Sequence, residues 1–270
     1  MNTQTKQLFF AFLLLLSTSY ITSCVKCHPE REERGGRHLE MAVLYQQRAA
    51  EYKALCFQAF NTARLMLEKD LENKEITKKR ALVFDIDETV LDNSPYEAKF
   101  ALEGISYPEK WKDWCQMGKA AAVPGAKEFI KESAEKGYAI IYISNRKAEL
   151  FEKTKDNLRQ AGLVLENDSL LMMREGDDNS KEARRQRVLQ NYHISLLFGD
   201  NLADFDVLYE NKTMAQRDSL TMAFKNEFGR RFIILPNAMY GDWEMALYDN
   251  NGKMPAEEKA LKRKENLISF

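Results

Sequence analysis

The sequence predicts an α/β fold with a parallel sheet covered by helices on both faces. The first observation is that short apolar runs, each long enough for one buried strand, alternate with longer amphipathic segments along most of the chain. The second is that acidic or hydroxyl residues follow several of these runs, at the edge where open α/β sheets bind their ligands. Repeated strand–helix units of this kind favour a parallel sheet.

Five apolar runs are predicted to be strands, because each is four to six residues long and bounded by polar residues, Gly or Pro. They are residues 81–84, 138–143, 170–173, 194–198 and 232–235. Helices are predicted where apolar residues recur every three or four positions, or where such a segment ends at Gly. They are residues 38–71, 126–136, 147–161 and 181–191.

The segment 94–123 fits this alternation poorly and contains Trp111 and Trp114. We interpret it as an insertion that forms a small α-helical cap together with the N-terminal helical segment, residues 38–80. The catalytic domain is then residues 81–270. A chain of this length can bury one substantial core with a minor appended part.

The first 23 residues resemble a secretory signal. Lys6 is their only charge, and residues 8–16 form an apolar run that is too short to span a bilayer but fits the core of a signal peptide. Ile21-Thr22-Ser23-Cys24 resembles a bacterial lipobox, which implies that Cys24 is lipidated. The alternative is ordinary signal cleavage nearby, with Cys24 a plain thiol. Residues 24–37 are then a tether, and we expect an exported protein, lipid-anchored in the bacterial cell envelope at the outer membrane.

Charge and cysteine content exclude several classes of protein. The chain has 40 basic and 41 acidic residues, and loss of residues 1–23 removes only Lys6, so the remaining net charge is −2. A nucleic-acid polymer is therefore not an expected partner. Cys27, Cys56 and Cys115 remain beside Cys24; their spacing matches no zinc site, and three cysteines cannot form a closed disulfide framework.

Asp85-Ile86-Asp87-Glu88-Thr89 is the most informative stretch. It places two carboxylates two residues apart, directly after the predicted buried strand 81–84. Two acids this close repel each other unless a cation or a shared proton intervenes. We therefore expect a metal-assisted site in which one carboxylate attacks the substrate and the other transfers protons.

This stretch resembles the Asp-x-Asp-x-Thr motif of the haloacid dehalogenase superfamily. The longer run Asp85-Ile86-Asp87-Glu88-Thr89-Val90-Leu91-Asp92-Asn93-Ser94-Pro95-Tyr96 resembles the class C, or bacterial lipoprotein, acid phosphatases. The other superfamily motifs follow in order: a hydroxyl at Ser144, a lysine at Lys181, and the acidic pair Asp200 and Asp204. The resemblance covers roughly residues 38–245 and implies a haloacid-dehalogenase-like fold.

The resemblance also implies a role for each acid. Asp85 is the nucleophile that forms an aspartyl-phosphate. Asp87 protonates the leaving oxygen and then activates the hydrolytic water. Mg²⁺ is bound by the Asp85 carboxylate, the Asp87 backbone carbonyl and Asp200, while Asp204 orients a metal-bound water.

The remaining site residues are expected to contact the substrate. Ser144 and Lys181 would bind phosphoryl oxygens and offset the charge that develops on them. Asn145 and Arg146 are assigned to substrate binding, with ordering of the loop as the alternative. In the family, one aromatic residue from the cap and one near the last strand sandwich a nucleotide base, and the local match points to Trp111 and Tyr240.

The implied function is a Mg²⁺-dependent acid phosphatase for nucleoside 5′-monophosphates and other small phosphomonoesters, with a homodimer left open. Two alternatives are a phosphotransferase that uses the same intermediate, and a non-catalytic binding or storage lipoprotein on the same scaffold. A histidine-based acid phosphatase is disfavoured, because Arg34-Gly35-Gly36-Arg37-His38 does not supply the Arg-His-Gly signature of that class.

Overall fold

A five-stranded parallel sheet forms the centre of the part that this computed structural model describes, residues 37–105 and 107–270. In chain order the strands are β1 (Lys79–Phe84), β2 (Leu91–Asp92), β3 (Ala121–Ala122), β4 (Ala139–Lys147), β5 (Leu171–Arg174), β6 (Tyr192–Gly199) and β7 (Phe232–Ile234). In space the strands of the large sheet run in the order β5-β4-β1-β6-β7, and each pair of neighbours is parallel. This confirms the predicted fold class.

The α-helices of the described residues alternate with the strands of the large sheet after β1, apart from those of the insertion and the two ends. They are α1 (Glu40–Arg48), α2 (Ala50–Glu72), α3 (Ser94–Glu103), α4 (Trp111–Met117), α5 (Ala126–Glu135), α6 (Phe151–Gln160), α7 (Glu182–Asn191), α8 (Met214–Ala223), α9 (Asp242–Leu247) and α10 (Ala256–Glu265). Between residues 37 and 270, Ser106 aside, we find no helix that could span a membrane.

Alternate residues of β1 face two separate apolar cores, one on each side of the sheet. On one side, Phe84 packs with Phe60 of α2 and Phe129 of α5, whose ring centroids are 5.3 Å apart. On the other side, Val83 packs with Val188 of α7. Side chains of a strand alternate between the two faces, so a strand that is apolar throughout requires helices on both.

The N-terminal helical segment differs from its prediction. The sequence predicts one helix over residues 38–71, but Ala49 is extended, with φ −72° and ψ 131°, and separates α1 from α2. Helix α1 contacts α3 of the insertion, whereas α2 contacts β6, β7 and α5. The assignment of the whole of 38–80 to the cap is corrected accordingly: α2 belongs to the layer on the sheet, because its apolar stripe is buried there.

The insertion is anchored at both ends. Strands β2 and β3 pair antiparallel, with Leu91 opposite Ala122, so the chain returns to its starting point after α3 and α4. Asn157 of α6 adds a second anchor: its side chain donates to the Ala120 carbonyl at 2.8 Å and accepts from the Ala120 N–H at 3.3 Å. The insertion is thereby held over the carboxyl edge of the sheet.

At the opposite edge, Asp70 of α2 joins three elements, and we expect its loss to destabilise the fold. Asp70 Oδ2 accepts hydrogen bonds from Arg80 Nε at 2.8 Å and from the hydroxyls of Tyr138 and Ser195, both at 2.9 Å. Asp70→Ala leaves a partly buried guanidinium without its carboxylate. The free energy of unfolding, measured in urea, should fall by about 2–4 kcal/mol.

Glu132→Ala is the matched control. Its ion pair with Arg64, at 2.7 Å, also ties α2 to a neighbouring helix, but the Glu132 side chain is 47 % exposed. Its loss should cost about 1 kcal/mol or less. Equal costs for the two variants would contradict a special role for Asp70.

Candidate active site

The Asp85 carboxylate lies at the carboxyl end of the central strand, β1. Its backbone N–H donates to the Phe198 carbonyl at 2.9 Å, so Asp85 continues the parallel ladder to the edge of the sheet. The side chain is 9 % exposed and forms an ion pair with Lys181, whose ammonium group also lies 2.6 Å from Asp204 Oδ1. One buried cation therefore bridges two carboxylates that follow different strands.

Three carboxylates meet at this edge. Asp85, Asp200 and Asp204 bring carboxylate oxygens within 4.8 Å of one another. Asp200 follows β6 directly and accepts hydrogen bonds from Asn237 Nδ2 at 2.8 Å and Thr89 Oγ1 at 3.3 Å. Asn237 has no predicted role in the sequence analysis; it lies just beyond β7, where the rule that strand ends carry ligands could have found it.

The close approach of Asp204 depends on Gly199, the last residue of β6. A Cβ at position 199 would overlap the Asp204 side chain. Asp204 Oδ2 also accepts a hydrogen bond from the Asn201 N–H at 3.1 Å, which turns the carboxylate back toward the sheet edge. Asp204 is thus near enough to act on a cation directly or through a water.

Burial raises the pKa of both Asp85 and Asp200. The pKa of Asp85 rises to about 7 because loss of water disfavours its charged form; the Lys181 ammonium opposes the rise, and the Asp204 charge adds to it. For Asp200, burial and then the charges of Asp204 and Asp85 raise the pKa well above its usual range. A bound cation would relieve this crowding, and the hard oxygen donors fit a divalent ion.

Asp87 is held by Arg146. The guanidinium Nε and Nη2 donate to Asp87 Oδ1 at 2.9 and 2.7 Å. The side chain of Arg146 is 1 % exposed and that of Asp87 19 %. The Arg146 guanidinium is buried against Asp87, and this carboxylate offsets the cost of burying the charge. The assignment of Arg146 to substrate binding, with ordering of the loop as the alternative, stays a prediction.

Glu88 and Asn93, to which the sequence analysis assigns no role, complete the surroundings of Asp87. Both are fully buried, and Asn93 Nδ2 donates to Asp87 Oδ1 at 2.8 Å and to Glu88 Oε2 at 3.1 Å. Glu88 adopts a left-handed backbone conformation, with φ 58°, and accepts a hydrogen bond from the Tyr240 hydroxyl. Burial raises the pKa of Glu88 well above its usual range. The sequence feature that could have identified both residues is the run 85–96, in which they lie.

Ser144 and Asn145 occupy the end of β4, beside β1. Ser144 is fully buried and its Oγ accepts from the Arg146 N–H at 3.1 Å. Arg184, a further residue without a predicted role, donates to the Ser144 carbonyl and to Asn145 Oδ1, both at 2.6 Å. Helix α7 carries Arg184 and begins directly after Lys181. It therefore fastens the end of β4 and presents the lysine in one unit.

Trp111 is connected to Asp87 through Arg146, whereas Tyr240 is connected to it through two side chains, Glu88 and Asn93. The Trp111 ring lies 5.6 Å from the guanidinium carbon of Arg146, and the Tyr240 hydroxyl donates to Glu88. Both aromatic residues are half-buried. The structure thus brings them to the surroundings of Asp87, and their role as a base sandwich stays a prediction.

A polar cavity of about 350 Å³ adjoins Lys181 and Asp204. Acidic and amide side chains dominate its walls. The lining residues are Asn145, Asp177, Asp178, Asn179, Ser180, Lys181, Asn201, Ala203, Asp204, Glu210, Asn211 and Asp242. Its size and polarity suit part of a small polar ligand beside Lys181.

Several known proteins are similar to this chain. A crystal structure of a class C acid phosphatase from Bacillus anthracis with tungstate bound has a TM-score of 0.84 and 43 % identity, covering 87 % of this chain and 98 % of that one. Vegetative storage protein 2 of Arabidopsis thaliana is 28 % identical over 162 residues, 56 % of this chain and 57 % of the relative. Acid phosphatase 1 of Solanum lycopersicum is 28 % identical over 131 residues, 45 % and 50 %. The chain spans about half the length of these curated relatives.

The fold and site are those of the haloacid dehalogenase class, with an Asp-x-Asp pair, a lysine and a second acidic pair at one sheet edge. The profile described as HAD superfamily, subfamily IIIB (acid phosphatase), matches residues 32–243. The chain belongs to this acid phosphatase family. The predictions of the superfamily and of the class C resemblance are thereby confirmed.

Proposed function

We propose that this protein hydrolyses small phosphomonoesters through an aspartyl-phosphate on Asp85, with Asp87 as the acid and base and Mg²⁺ as the cofactor. The observation that carries the proposal is the convergence at the sheet edge. There, Lys181 bridges Asp85 and Asp204, and Asp200 lies within 4.8 Å of both. The protein would act outside the cytoplasm, because charged phosphate esters cannot cross the membrane before they are hydrolysed.

In the first step, an Asp85 carboxylate oxygen attacks phosphorus and the ester P–O bond breaks. Asp87 gives its proton to the departing alcohol oxygen. In the second step, a water attacks the same phosphorus and gives a proton to Asp87. Asp85 is then released as a carboxylate, and phosphate leaves.

Lys181 and the buried end of β4 would bind the phosphoryl group during both steps. The Lys181 ammonium is already paired with Asp85, so it is placed to offset negative charge on the phosphoryl oxygens. Ser144 and Asn145 lie at the neighbouring strand end, where a hydroxyl and an amide can donate to the same oxygens. Mg²⁺, held by Asp85, Asp200 and the Asp87 carbonyl, would supply further positive charge, with Asp204 orienting a water on it.

Two relatives bear on the proposal. The Bacillus anthracis phosphatase was solved with tungstate, a tetrahedral oxyanion with the shape of phosphate, which supports oxyanion binding by this family. The Arabidopsis relative carries the name of a storage protein. Asp85, Asp87, Lys181 and Asp200 are all present in this chain, which favours the enzyme over a non-catalytic scaffold.

A substrate panel tests the proposed activity. Phosphate release should be measured from alkyl, aryl and nucleoside monoesters, with an added alcohol to reveal phosphoryl transfer to acceptors other than water. We expect hydrolysis of several esters. A purified, folded protein that releases phosphate from no ester would support the storage alternative instead.

Nucleoside 5′-monophosphates are the substrates we favour, with the base between Trp111 and Tyr240. Tyr240→Ala removes a stacking surface that is remote from the bond being broken. The kcat/KM for a nucleoside monophosphate should therefore fall roughly 5- to 150-fold, which corresponds to the loss of about 1–3 kcal/mol of stacking energy. Hydrolysis of a small aliphatic phosphate should change little. Trp111→Ala should also lower kcat/KM more for the nucleotide than for the aliphatic phosphate. Any effect of exposing Arg146 would lower the values for both substrates.

Tyr240→Phe is the matched control for stacking. It keeps the ring and removes only the hydroxyl that donates to Glu88. Its preference for nucleotides should match that of the parent protein. Equal losses on both substrates in Tyr240→Ala would mean that the residue supports the structure of the site and does not bind a base.

The location and partners remain predictions. Residues 1–23, Cys24 and most of the 24–37 tether lie outside the described residues, so the signal peptide, lipidation and outer-membrane attachment stay as the sequence predicts them. The homodimer is likewise a prediction. Lipid attachment at Cys24 would retain the phosphatase at the cell surface layers where released nucleosides can be taken up.

A further inference from the structure

Asn93 uses every hydrogen-bonding position of its side-chain amide. Oδ1 accepts from Trp114 Nε1 at 2.8 Å and from Arg146 Nη2 at 3.3 Å. Nδ2 donates one hydrogen to Asp87 and the other to Glu88. A side-chain amide has two donor hydrogens and two acceptor lone pairs, so Asn93 is saturated. The flipped amide would turn its oxygen toward two carboxylates, which leaves one orientation.

The two oxygens of Asp87 are therefore unequal. Oδ1 accepts from Asn93 Nδ2 at 2.8 Å and from Arg146 at 2.7 and 2.9 Å. Oδ2 receives one longer contact, 3.3 Å from Arg146 Nε. An oxygen that already accepts three hydrogen bonds has no lone pair left for a proton, whereas Oδ2 remains available.

We propose that Asn93 is a positioning residue, which together with Arg146 holds Asp87 Oδ1 so that Oδ2 faces the leaving oxygen and exchanges the proton. This inference rests on the proposed function, because it assigns an orientation to the acid of that reaction. General-acid catalysis requires the proton-bearing oxygen within hydrogen-bond reach of the leaving group, and rotation of the carboxylate by one torsion would remove it.

The insertion contributes to this arrangement through α4. Trp114 donates to Asn93, and Trp111 covers the Arg146 guanidinium. Both side chains that fix Asp87 Oδ1 are thus contacted by the same cap helix. The position of α4 over the sheet edge and the orientation of the Asp87 carboxylate therefore depend on the same contacts.

The dependence of the rate on the leaving group tests the proposal. Asn93→Ser keeps a side chain suited to the start of α3 but removes the amide. An alkyl phosphate needs protonation of its leaving oxygen, whereas 4-nitrophenolate departs without it. The kcat/KM reports the first step alone, so the second use of Asp87 does not enter. We expect kcat/KM to fall about 10- to 100-fold for the alkyl ester and less than about 3-fold for 4-nitrophenyl phosphate.

Ser195→Ala is the control, since it also removes a buried hydrogen bond, the one to Asp70 at the opposite edge of the sheet, away from the insertion. Its ratio of the two kcat/KM values should equal that of the parent protein. Equal losses on both esters in Asn93→Ser would overturn the positioning role. A parent protein that hydrolyses neither ester would overturn the proposed function itself.

Trp114→Phe provides a second variant if Asn93→Ser does not fold. It removes the N–H that donates to Asn93 Oδ1, together with the pyrrole part of the indole, and keeps an aromatic ring in the cap. The alkyl ester should again lose more kcat/KM than the aryl ester, by about 3- to 10-fold. An unchanged ratio between the two esters in this folded variant would contradict the proposal.

Discussion

Asp85→Asn should abolish turnover while leaving the protein folded. The substitution keeps the shape of the side chain and removes the charge that attacks phosphorus. Loss of a nucleophile lowers kcat by about 10⁴-fold or more in enzymes of known mechanism. The measurement is phosphate release from the best substrate, with protein concentrations high enough to detect the residual rate.

Stability separates this loss from unfolding. Lys181 keeps its ion pair with Asp204 when position 85 becomes a neutral amide, so the variant should stay folded, and its melting temperature checks this. Asp168→Asn is a control for the same chemical change, because the Asp168 side chain is 58 % exposed and pairs with Lys155 away from the site. Its turnover should equal that of the parent. Near-parental turnover in Asp85→Asn would rule out the aspartyl-phosphate mechanism.

Chelation should remove activity, and Mg²⁺ should restore it. Asp85, Asp200 and Asp204 place several negative oxygens within 4.8 Å, and a doubly negative phosphate ester must enter beside them. Lys181 supplies one positive charge to this group. Without a divalent cation, the repulsion between the ester and the carboxylates opposes binding and attack. A protein that stays fully active in excess chelator would contradict the metal assignment.

Asp200→Asn should weaken metal binding before it alters chemistry. Asn237 and the Thr89 hydroxyl can still hold the new amide, so the change is confined to the loss of one charge beside the cation. Thermal unfolding gives a readout that is independent of activity. A ligand at about 100 times its Kd stabilises the folded state by about 2.7 kcal/mol. Mg²⁺ should therefore raise the melting temperature of the parent at concentrations where Asp200→Asn does not respond.

The strands and the principal carboxylates could be predicted from the sequence for a specific reason. All five predicted strands overlap the strands of the sheet, because each is largely buried and reads as a mostly apolar run. In a parallel sheet the carboxyl ends share one edge. Asp85 and Asp200 therefore come together without any knowledge of loop structure, whereas Lys181 lies seven residues beyond β5 and depends on the intervening loop.

Other features depend on contacts that periodicity does not encode. Ala49 keeps the apolar spacing of a continuous helix, so the break between α1 and α2 is invisible in the pattern. Arg146 ends up against Asp87, 59 residues earlier in the chain, and Tyr240 reaches Glu88 across 152 residues. Such side-chain pairings follow from the three-dimensional course of the loops.

The identity of the residue that carries the phosphoryl group tests the account most directly. The protein should be mixed with a nucleoside monophosphate, quenched in acid within one turnover, digested and mapped by mass spectrometry. The account predicts a phosphoryl group on Asp85 that hydroxylamine removes, as expected for an acyl phosphate, and none in Asp85→Asn. A covalent phosphoryl group on another residue, or substrate consumption in one turnover with no covalent adduct at any time, would contradict it.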